Sequence, residues 1–299
     1  MILILVYYLL IAGCFTIGKA ALSYAPPIYF IGCRMTIAGL ILLSYVYFFK
    51  RQHFRLEAKH VKLFLGTVFF HIYLSFVLEF WSMQYVSSAK ACLLFGLSPY
   101  ISAAIGYLWF SEKLSFKKMA GLFLGLASFL PVLTEPVASE DAVGRYWFFS
   151  VPEISLFCAV LSSVIGWMVF SKLVKEGGYS PIFINGFSMF SGGILALGTS
   201  CLFEQGIHVT AMVPFLWYVG LIILISNIIS YNIYGTLLKH YTATFLFFAG
   251  SISPVFAATY DWLWFGRIVS LPFVISTVFT AFGLYIFYQD ELKEGYLKK

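Results

Sequence analysis

Apolar residues fill this chain in long blocks, and the polar positions gather in short segments between them. A helix needs about 20 mostly apolar residues to cross a bilayer. Ten stretches meet that length, near residues 2–22, 27–49, 62–84, 90–110, 116–134, 152–171, 180–203, 212–236, 243–265 and 269–288. The pattern predicts an all-α integral membrane protein with ten transmembrane helices, numbered here as spans 1 to 10, and it leaves almost no chain for a soluble domain.

The composition agrees with a membrane protein. The 299 residues are 61% hydrophobic and 11% charged, against roughly 45–50% and 25% in an ordinary soluble domain. The five cysteines are scattered inside the spans without metal-ligand spacing, so we expect no disulfide, metal or cofactor. The first 14 residues end in IAGC, which is similar to a lipoprotein cleavage site, but no basic residues precede it. This favours an uncleaved first helix.

The basic residues collect on one side of the predicted membrane. Fourteen of the 19 lysines and arginines fall in the loops after spans 2, 4, 6 and 8 or in the C-terminal tail, and the acidic segment TEPVASED (134–141) falls on the other side. The positive-inside rule then predicts two cytoplasmic termini. The net charge of +6 reflects this orientation rather than a nucleic-acid partner. We expect a multi-pass protein of a bacterial inner membrane, monomeric or homodimeric, with the lipid bilayer and a small molecule as partners.

Two halves of the chain share one pattern. A shift of 155 residues aligns SPYISAAIGYLWFSE (98–112) with SPVFAATYDWLWFGR (253–267), and a shift of 154 aligns PPIYFIGCRMTIAG (26–39) with SPIFINGFSMFSGG (180–193). Each half then holds five spans. Because an odd unit repeated in one chain enters the membrane from opposite sides, we expect an inverted repeat, which supplies the two states of alternating access. A duplication kept only for helix packing remains the alternative.

The segments 15–43 and 84–130, with a weaker echo at 239–288, resemble the EamA-type repeats of the drug/metabolite transporter superfamily. The resemblance covers nearly the whole chain. It implies ten helices in two inverted five-helix repeats, residues 1–134 and 151–290, joined by an extracytoplasmic connector, 135–150, and followed by a cytoplasmic tail, 291–299. It also implies a central cavity lined mainly by helices 1, 3, 4, 6, 8 and 9. Glu112 matches the glutamate that ends helix 4 in the family, whereas the second half carries Gly266 and Arg267 there.

Polar side chains follow one helical face in each of two repeat-related spans. They are His71, Ser75, Glu79 and Ser82 in span 3 and Asn227, Tyr231 and Tyr234 in span 8. Spacings of i, i+4 and i+7 or i+8 put such residues on one side of an α-helix, turned away from lipid. We expect the two faces to meet near the middle of the membrane as a substrate-binding site, with His71 and Asn227 at its centre. A polar seam between helices is the alternative for span 3.

Five charged residues lie at or near membrane depth, where an ionisable group costs several kcal/mol unless it is paired or faces a cavity. Arg34 is expected roughly 10 Å below the outer surface, at about 1.5 Å per residue. Glu79 and Asp261 approach that surface from below, so an ion-pair network with Arg34 could close an outer gate or bind a zwitterion. Lys19 and Lys90 are further gate or ion-pair candidates, although Lys19 could snorkel to the surface and Asp261 could lie among the headgroups.

The expected activity is secondary active transport by alternating access. The sequence has no ATP-binding motif and no HExxH or GxSxG motif, so we expect transport on a gradient or by exchange and no catalytic residue. Aromatic walls with a few carboxylates suit a flat or cationic ligand. Within the family resemblance, S-adenosylmethionine fits best: adenine on the aromatics, sulfonium at Glu79 or Asp261, carboxylate at Arg34, with exchange for S-adenosylhomocysteine. The alternative is an exporter of amino acids or cationic drugs and metabolites.

Overall fold

The long apolar blocks form long helices in the computed structural model, which describes residues 2–110, 116–128, 130–133, 144–146, 149–204, 209–241, 246 and 249–294. In chain order the α-helices are α1 (Ile2–Ala21), α2 (Pro27–Phe49), α3 (Val61–Gly66), α4 (Ser75–Ser82), α5 (Ser88–Phe95), α6 (Ser98–Phe110), α7 (Phe116–Ala127), α8 (Leu130–Leu133), α9 (Val151–Lys175), α10 (Pro181–Phe203), α11 (Met212–Ile222), α12 (Tyr231–Leu237), α13 (Ser253–Phe265) and α14 (Leu271–Glu294). Short 3₁₀ turns occupy Arg51–His53, Ala58–His60 and Gly250–Ile252. The predicted all-helical, multi-pass chain agrees with these elements.

Seven helical segments of the described chain are long and apolar enough to cross a membrane. They are Ile2–Ala21, Pro27–Phe49, Ala58–Ser82, Ser88–Ile105, Val151–Lys175, Pro181–Phe203 and Met212–Leu237, and a shorter apolar helix covers Leu271–Ile286. Predicted spans 5 and 9 fall on the shorter helices α7 and α13, so the count of ten remains a prediction. The acidic segment 134–141, Glu112 and the end of the tail, 295–299, lie outside the described residues.

The predicted connector, 135–150, contains a small element that the all-α prediction did not include. Strand β1 (Arg145–Tyr146) pairs antiparallel with β2 (Phe149–Ser150), with Arg145 opposite Ser150. Ser150 then caps α9: its backbone N–H donates to Glu153 Oε2 at 2.7 Å, and its Oγ accepts from the backbone N–H of Glu153. This reciprocal capping box satisfies free donors at the helix start and fixes where α9 begins.

Two of the long spans contain a π-helical segment in their middle. The first, Thr67–Leu74, joins α3 to α4, and the second, Ile223–Ser230, joins α11 to α12. Their first residues are 156 positions apart, close to the shift that aligns the two halves of the sequence. A π-helix bonds residue i to i+5 and often marks a functional site. It also changes the angle between successive side chains, so a face predicted from the α-helical period does not continue through these segments.

Helices α2 and α10 cross at a pair of reciprocal glycine contacts. A Cβ atom added to Gly39 would lie 2.2 Å from the backbone N of Phe190, and one added to Gly193 would lie 2.5 Å from that of Thr36. Adding 154 to 36 and 39 gives 190 and 193, so each contact corresponds to the other under the shift that aligns the two halves of the sequence. Close approach through small residues is a common way for helices to pack in lipid, and it brings the two halves of the chain together here.

Candidate functional site

A cavity lies among the helices and is lined by 20 residues. Its walls come from α1, α4, α5, α9, α12 and α13, with Arg34 of α2, Ser98 of α6 and Ser226 of the second π-helical segment. Apart from α2, these elements belong to spans 1, 3, 4, 6, 8 and 9, which are the helices that the family resemblance implies. Helix α2, in span 2, also reaches the cavity through Arg34. We call this space the central cavity.

Arg34 and Glu79 form a charged region of the central cavity. Arg34 is 1% exposed, and its Cζ atom lies 4.8 Å from the ring centre of Phe76 and 5.1 Å from that of Phe80. Within the described residues its Nε has no hydrogen-bond partner. Glu79 lies on α4 between these two rings in sequence and is 6% exposed. Both side chains line the cavity. Among the described side chains, neither the Arg34 nitrogens nor the Glu79 oxygens have an oppositely charged partner at an N–O distance of 4.0 Å or less, so both groups remain available to a ligand.

Aromatic side chains form a second region of the central cavity. The ring centres of Trp167 and Tyr234 are 4.2 Å apart, those of Tyr7 and Tyr234 5.1 Å, and those of Tyr7 and Tyr8 4.7 Å. Tyr231 lies 5.3 Å from Trp167 and also lines the cavity. Tyr8 Oη donates a hydrogen bond to the carbonyl of Leu246. Such a group of rings offers flat apolar surface with hydroxyl groups at its margin, which suits a planar heterocycle.

Asp261 lies on a different cavity, which we call the second cavity. Its two carboxylate oxygens accept hydrogen bonds from Thr16 Oγ1 at 3.1 Å and from the backbone N–H of Ala89 at 3.0 Å. One carboxylate therefore joins α1, α5 and α13, and we call this contact the Asp261 clasp. Phe15 and Cys92, next to the clasp on α1 and α5, line the central cavity. The clasp therefore stands between the two cavities, and Asp261 makes no ion pair with Arg34 in this conformation.

The two lysine candidates also line the second cavity, and both have partners. Lys19 Nζ donates to the carbonyl groups of Met83 and Val86 just beyond the end of α4. A cation at a helix C-terminus satisfies carbonyls that the helix leaves without partners. Lys90 Nζ lies 2.6 Å from Glu153 Oε1 in an ion pair whose side chains are 3% and 2% exposed. This pair links α5 to α9. The sequence reasoning did not find Glu153, because nothing in the sequence indicates that it lies beside Lys90.

Three further predicted site residues, besides Asp261 and the two lysines, do not line the central cavity. Ser75 Oγ donates to the carbonyl of Ala159 on α9 at 3.2 Å, as expected for a polar seam between helices. His71 packs against α9, where a Cβ on Gly166 would lie 2.4 Å from the His71 Cα atom. Asn227 Nδ2 approaches the sulfur of Met35 at 3.1 Å. His71 and Asn227 are both inside π-helical segments, and so is Ser226, which does line the cavity.

The central cavity also contains residues that the sequence reasoning left out of the site. Ser98 and Ser253 line it, and they are the first residues of two Ser-Pro pairs that the 155-residue shift superimposes. That match was the available signal. Tyr7, Tyr8 and Trp167 were not assigned to the site, although their depth in the predicted spans favoured a place in the aromatic walls. Within the described ranges, no group of three His, Cys, Asp or Glu residues could hold a metal ion.

The sequence is similar to those of known transporters. The sequence profile of the EamA-like transporter family matches residues 1–134 and again 151–289. A protein of Chlamydia muridarum named S-adenosylmethionine/S-adenosylhomocysteine transporter is 34% identical, with 95% of this chain and 89% of the relative covered. A protein of Chlamydia trachomatis serovar L2 with the same name is 32% identical, with 95% and 87% covered. The uncharacterized transporter YoaV of Bacillus subtilis is 23% identical, with 90% and 89% covered.

A solved crystal structure aligns with 98% of this chain and 98% of its own, with a TM-score of 0.69 and 16% sequence identity. At that identity the likeness concerns the fold alone. The family match covers most of the chain, which confirms the resemblance seen in the sequence and the expectation of transport rather than catalysis. We conclude that the chain is a multi-pass membrane transporter and belongs to the EamA-like transporter family.

Proposed function

We propose that the protein takes up S-adenosylmethionine in exchange for S-adenosylhomocysteine through the central cavity. The observation that carries this proposal is a cavity that offers an unpaired buried cation and anion, Arg34 and Glu79, together with a group of aromatic rings. A ligand with an amino-acid group and a purine meets both features. The two chlamydial relatives, whose names give these compounds as substrates, supply the specific chemistry.

Arg34 and Glu79 divide the charged part of the substrate between them. The guanidinium has five N–H donors in a planar fork that matches a carboxylate, so Arg34 binds the amino-acid carboxylate. Glu79 is the only acidic residue among the described residues that line the central cavity. It binds the ammonium group and, in S-adenosylmethionine, the sulfonium three carbons away. Asp261 lines the second cavity, so the alternative of a sulfonium site there is less favoured.

The aromatic region binds the adenine ring. Tyr7, Trp167, Tyr231 and Tyr234 present ring surface to the cavity, and stacking with the planar base is worth about 1–3 kcal/mol for each base in proteins that bind single-stranded nucleic acids. This part of the ligand is the same in both substrates. The two compounds differ only at the sulfur, where S-adenosylmethionine carries an extra methyl group and a positive charge, and a single cavity can therefore serve both directions of the exchange.

The finer architecture is part of the proposal: ten helices in two inverted five-helix repeats, residues 1–134 and 151–290, with an extracytoplasmic connector, 135–150, and a cytoplasmic tail, 291–299. Three observations support it. The family profile matches twice, the two π-helical segments are 156 residues apart, and the α2–α10 contacts are reciprocal. The basic loops favour cytoplasmic termini in a bacterial inner membrane, and the protein functions there as a monomer or homodimer.

The Asp261 clasp acts as the outer gate. It joins α1, α5 and α13 between the central and the second cavity. The Lys90–Glu153 pair ties α5 to α9 on the same side, and Lys19 ties α1 to the end of α4. Opening a path from the second cavity to Glu79 requires these contacts to separate, whereas the substrate groups on Arg34 and Glu79 stay bound. This is the gating step that alternating access requires.

Purified protein in liposomes tests the proposed function. Labelled S-adenosylmethionine is added outside vesicles that are empty or loaded with unlabelled S-adenosylhomocysteine, and uptake is followed with time. Loaded vesicles should take up label several times faster, and excess outside S-adenosylmethionine should abolish the signal, whereas free methionine, lacking the purine, should compete poorly. Uptake that is the same with and without the internal compound would contradict exchange. No saturable uptake of either compound would contradict the substrate assignment.

A further inference from the structure

The wall of the central cavity contains Ser98 and Ser253. Each begins a helix after an interruption. A turn at Gly96 and Leu97 separates α5 from α6, and the 3₁₀ turn Gly250–Ile252 precedes α13. Each serine is followed by a proline, which has no N–H and so leaves a carbonyl of the previous turn without its helical partner. The two hydroxyl groups therefore lie beside backbone that needs local hydrogen bonds.

At each interruption the carbonyl that the proline leaves free accepts a hydrogen bond, but from a different donor. Ser98 Oγ donates to the carbonyl of Phe95 at 2.6 Å, the carbonyl that Pro99 leaves free. In the second repeat the backbone N–H of Ser253 donates to the carbonyl of Gly250, the carbonyl that Pro254 leaves free. The Ser253 hydroxyl is thus not needed for the turn. Its residue is 6% exposed, and within the described part of the chain its Oγ has no hydrogen-bond partner.

A buried hydroxyl without a partner is costly, because its desolvation penalty of about 1–3 kcal/mol is not recovered. A ligand in the cavity would recover it. The Oγ of Ser253 can donate one hydrogen bond and accept others, so it suits a partner that is itself a hydroxyl group, and it carries no charge with which to select an ion.

Neighbouring contacts place Ser253 between the two regions of the cavity. One turn before it, a Cβ atom on Gly250 would lie 2.8 Å from Tyr8 Cε1 in the aromatic region. Two turns after it, Asp261 bonds to Thr16, farther along α1. Helices α1 and α13 therefore run side by side in the same direction, and Ser253 lies between the level of Tyr8 and the level of Thr16. Just beyond Thr16 on α1, a Cβ atom on Gly18 would lie 2.8 Å from Phe80 Cε1, and the Phe80 ring lies 5.1 Å from Arg34 Cζ in the charged region.

We propose that Ser253 forms a ribose subsite, in which its hydroxyl exchanges a hydrogen bond with a ribose hydroxyl of the substrate, while Ser98 helps to shape the same part of the wall. This inference rests on the proposed function, since in S-adenosylmethionine and S-adenosylhomocysteine the ribose separates adenine from the amino-acid group. Adenine on the aromatic rings and the amino-acid group at Arg34 and Glu79 bring the ribose to the serine between them. Ser253 then makes the protein selective for ribonucleoside over deoxyribonucleoside ligands.

The test compares ligands with and without each ribose hydroxyl. Proteoliposomes loaded with S-adenosylhomocysteine take up labelled S-adenosylhomocysteine, and unlabelled S-adenosylhomocysteine or its 2′-deoxy or 3′-deoxy analogue competes. For the wild-type protein we expect at least one deoxy analogue to compete about tenfold less well, as one lost hydrogen bond implies. In Ser253→Ala, S-adenosylhomocysteine itself should compete about tenfold less well than it does in the wild type, while competition by that deoxy analogue should change less than about twofold. The difference between the two ligands should therefore disappear.

Two further variants control for damage to the fold. Ser253→Thr keeps the hydroxyl and should keep the preference for ribose. Thr259→Ala removes a hydroxyl on the exposed face of α13, where it bonds to the carbonyl of Val255, and it should behave as wild type. Ribose selectivity that is unchanged in Ser253→Ala, or absent from the wild type, would overturn the subsite while leaving the proposed exchange intact. Wild-type vesicles that exchange neither compound would instead overturn the proposed function itself, and the subsite with it.

Discussion

Replacing Glu79 by glutamine should separate the two substrates of the proposed exchange. The substitution keeps the size of the side chain and removes its charge. Among the described residues that line the central cavity, Arg34 and Glu79 carry the only formal charges. The lining is therefore neutral in total with Glu79 present and carries one net positive charge in Glu79→Gln. S-adenosylmethionine has one net positive charge and S-adenosylhomocysteine has none, so the variant should discriminate against the first compound.

The size of the effect follows from what Glu79 contacts. Its carboxylate is buried and forms no hydrogen bond or ion pair within the described chain, so its interaction energy is available to the ligand. A hydrogen bond to a charged group contributes about 1.5–3 kcal/mol, and about 1.4 kcal/mol corresponds to tenfold in affinity. Affinity for S-adenosylmethionine should fall by roughly 10- to 150-fold. Affinity for S-adenosylhomocysteine should fall less, because it lacks the sulfonium.

The assay is competition by each compound against uptake of labelled S-adenosylhomocysteine in proteoliposomes. Glu79→Asp, which keeps the charge on a shorter side chain, is the matched control and should keep most of the preference for S-adenosylmethionine. Equal losses for the two compounds in Glu79→Gln would show that the carboxylate binds only the ammonium group. An unchanged affinity for both would refute the assignment of Glu79 to the substrate site.

Three further outcomes are expected. Gly39→Ala places a Cβ atom 2.2 Å from the Phe190 backbone N and should lower the melting temperature in detergent, since overpacking costs about 1–3 kcal/mol. Gly198→Ala, on α10 with no atom within 4 Å of the added Cβ, should keep or raise the melting temperature, because alanine is more favourable than glycine in a helix by about 1 kcal/mol. An equal loss of stability in the two variants would contradict the packing argument. Asp261→Ala removes the clasp and should open a path from outside to Cys92. In a variant whose only cysteine is Cys92, a thiol reagent that cannot cross the membrane should therefore label the protein faster from outside. An unchanged labelling rate would contradict the gate. Finally, exchange of S-adenosylmethionine for S-adenosylhomocysteine moves one positive charge inward. An inside-negative potential of 100 mV should therefore favour uptake by about 2.3 kcal/mol. Uptake that does not change when a potassium diffusion potential is imposed would mean that another ion compensates the charge.

Much of this arrangement could be predicted from the sequence, because the bilayer imposes simple rules. Apolar length located the long helices, and charge at membrane depth selected Arg34 and Glu79, which do line one cavity. Depth along a helix does not give the direction in which a side chain points, however. Asp261 was expected beside Arg34, yet it lines the second cavity. The Glu153 partner of Lys90 was missed, because the two residues are 63 positions apart on helices of different repeats.

The direction of individual side chains is the other difference between expectation and structure. Ser75 in the regular helix α4 does not line the central cavity, whereas Ser226 inside the second π-helical segment does. His71 and Asn227 were assigned to the centre of the site by a spacing of i and i+4, which assumes 3.6 residues per turn. Both lie inside segments with i to i+5 bonding, where that assumption fails. Glu79, in the regular helix α4 beyond the first segment, does reach the cavity. Apolar sequence alone does not distinguish a π-helical segment from an α-helix, so this part of the site required the structure.

The charges of the protein fall into two groups, and the division favours exchange over one-way transport. Asp261, Lys19 and Lys90 have partners within the protein, so they can hold one conformation without a ligand. Arg34 and Glu79 are buried without an N–O contact of 4.0 Å or less among the described residues, and buried charges that lack hydrogen-bonded partners are unfavourable. An empty carrier that isolates these two charges from water on both sides during its return pays that cost, whereas a carrier loaded with a zwitterion does not. Return with a bound substrate should therefore be faster than return without one, which is the kinetic requirement for S-adenosylhomocysteine leaving the cell to drive S-adenosylmethionine inward.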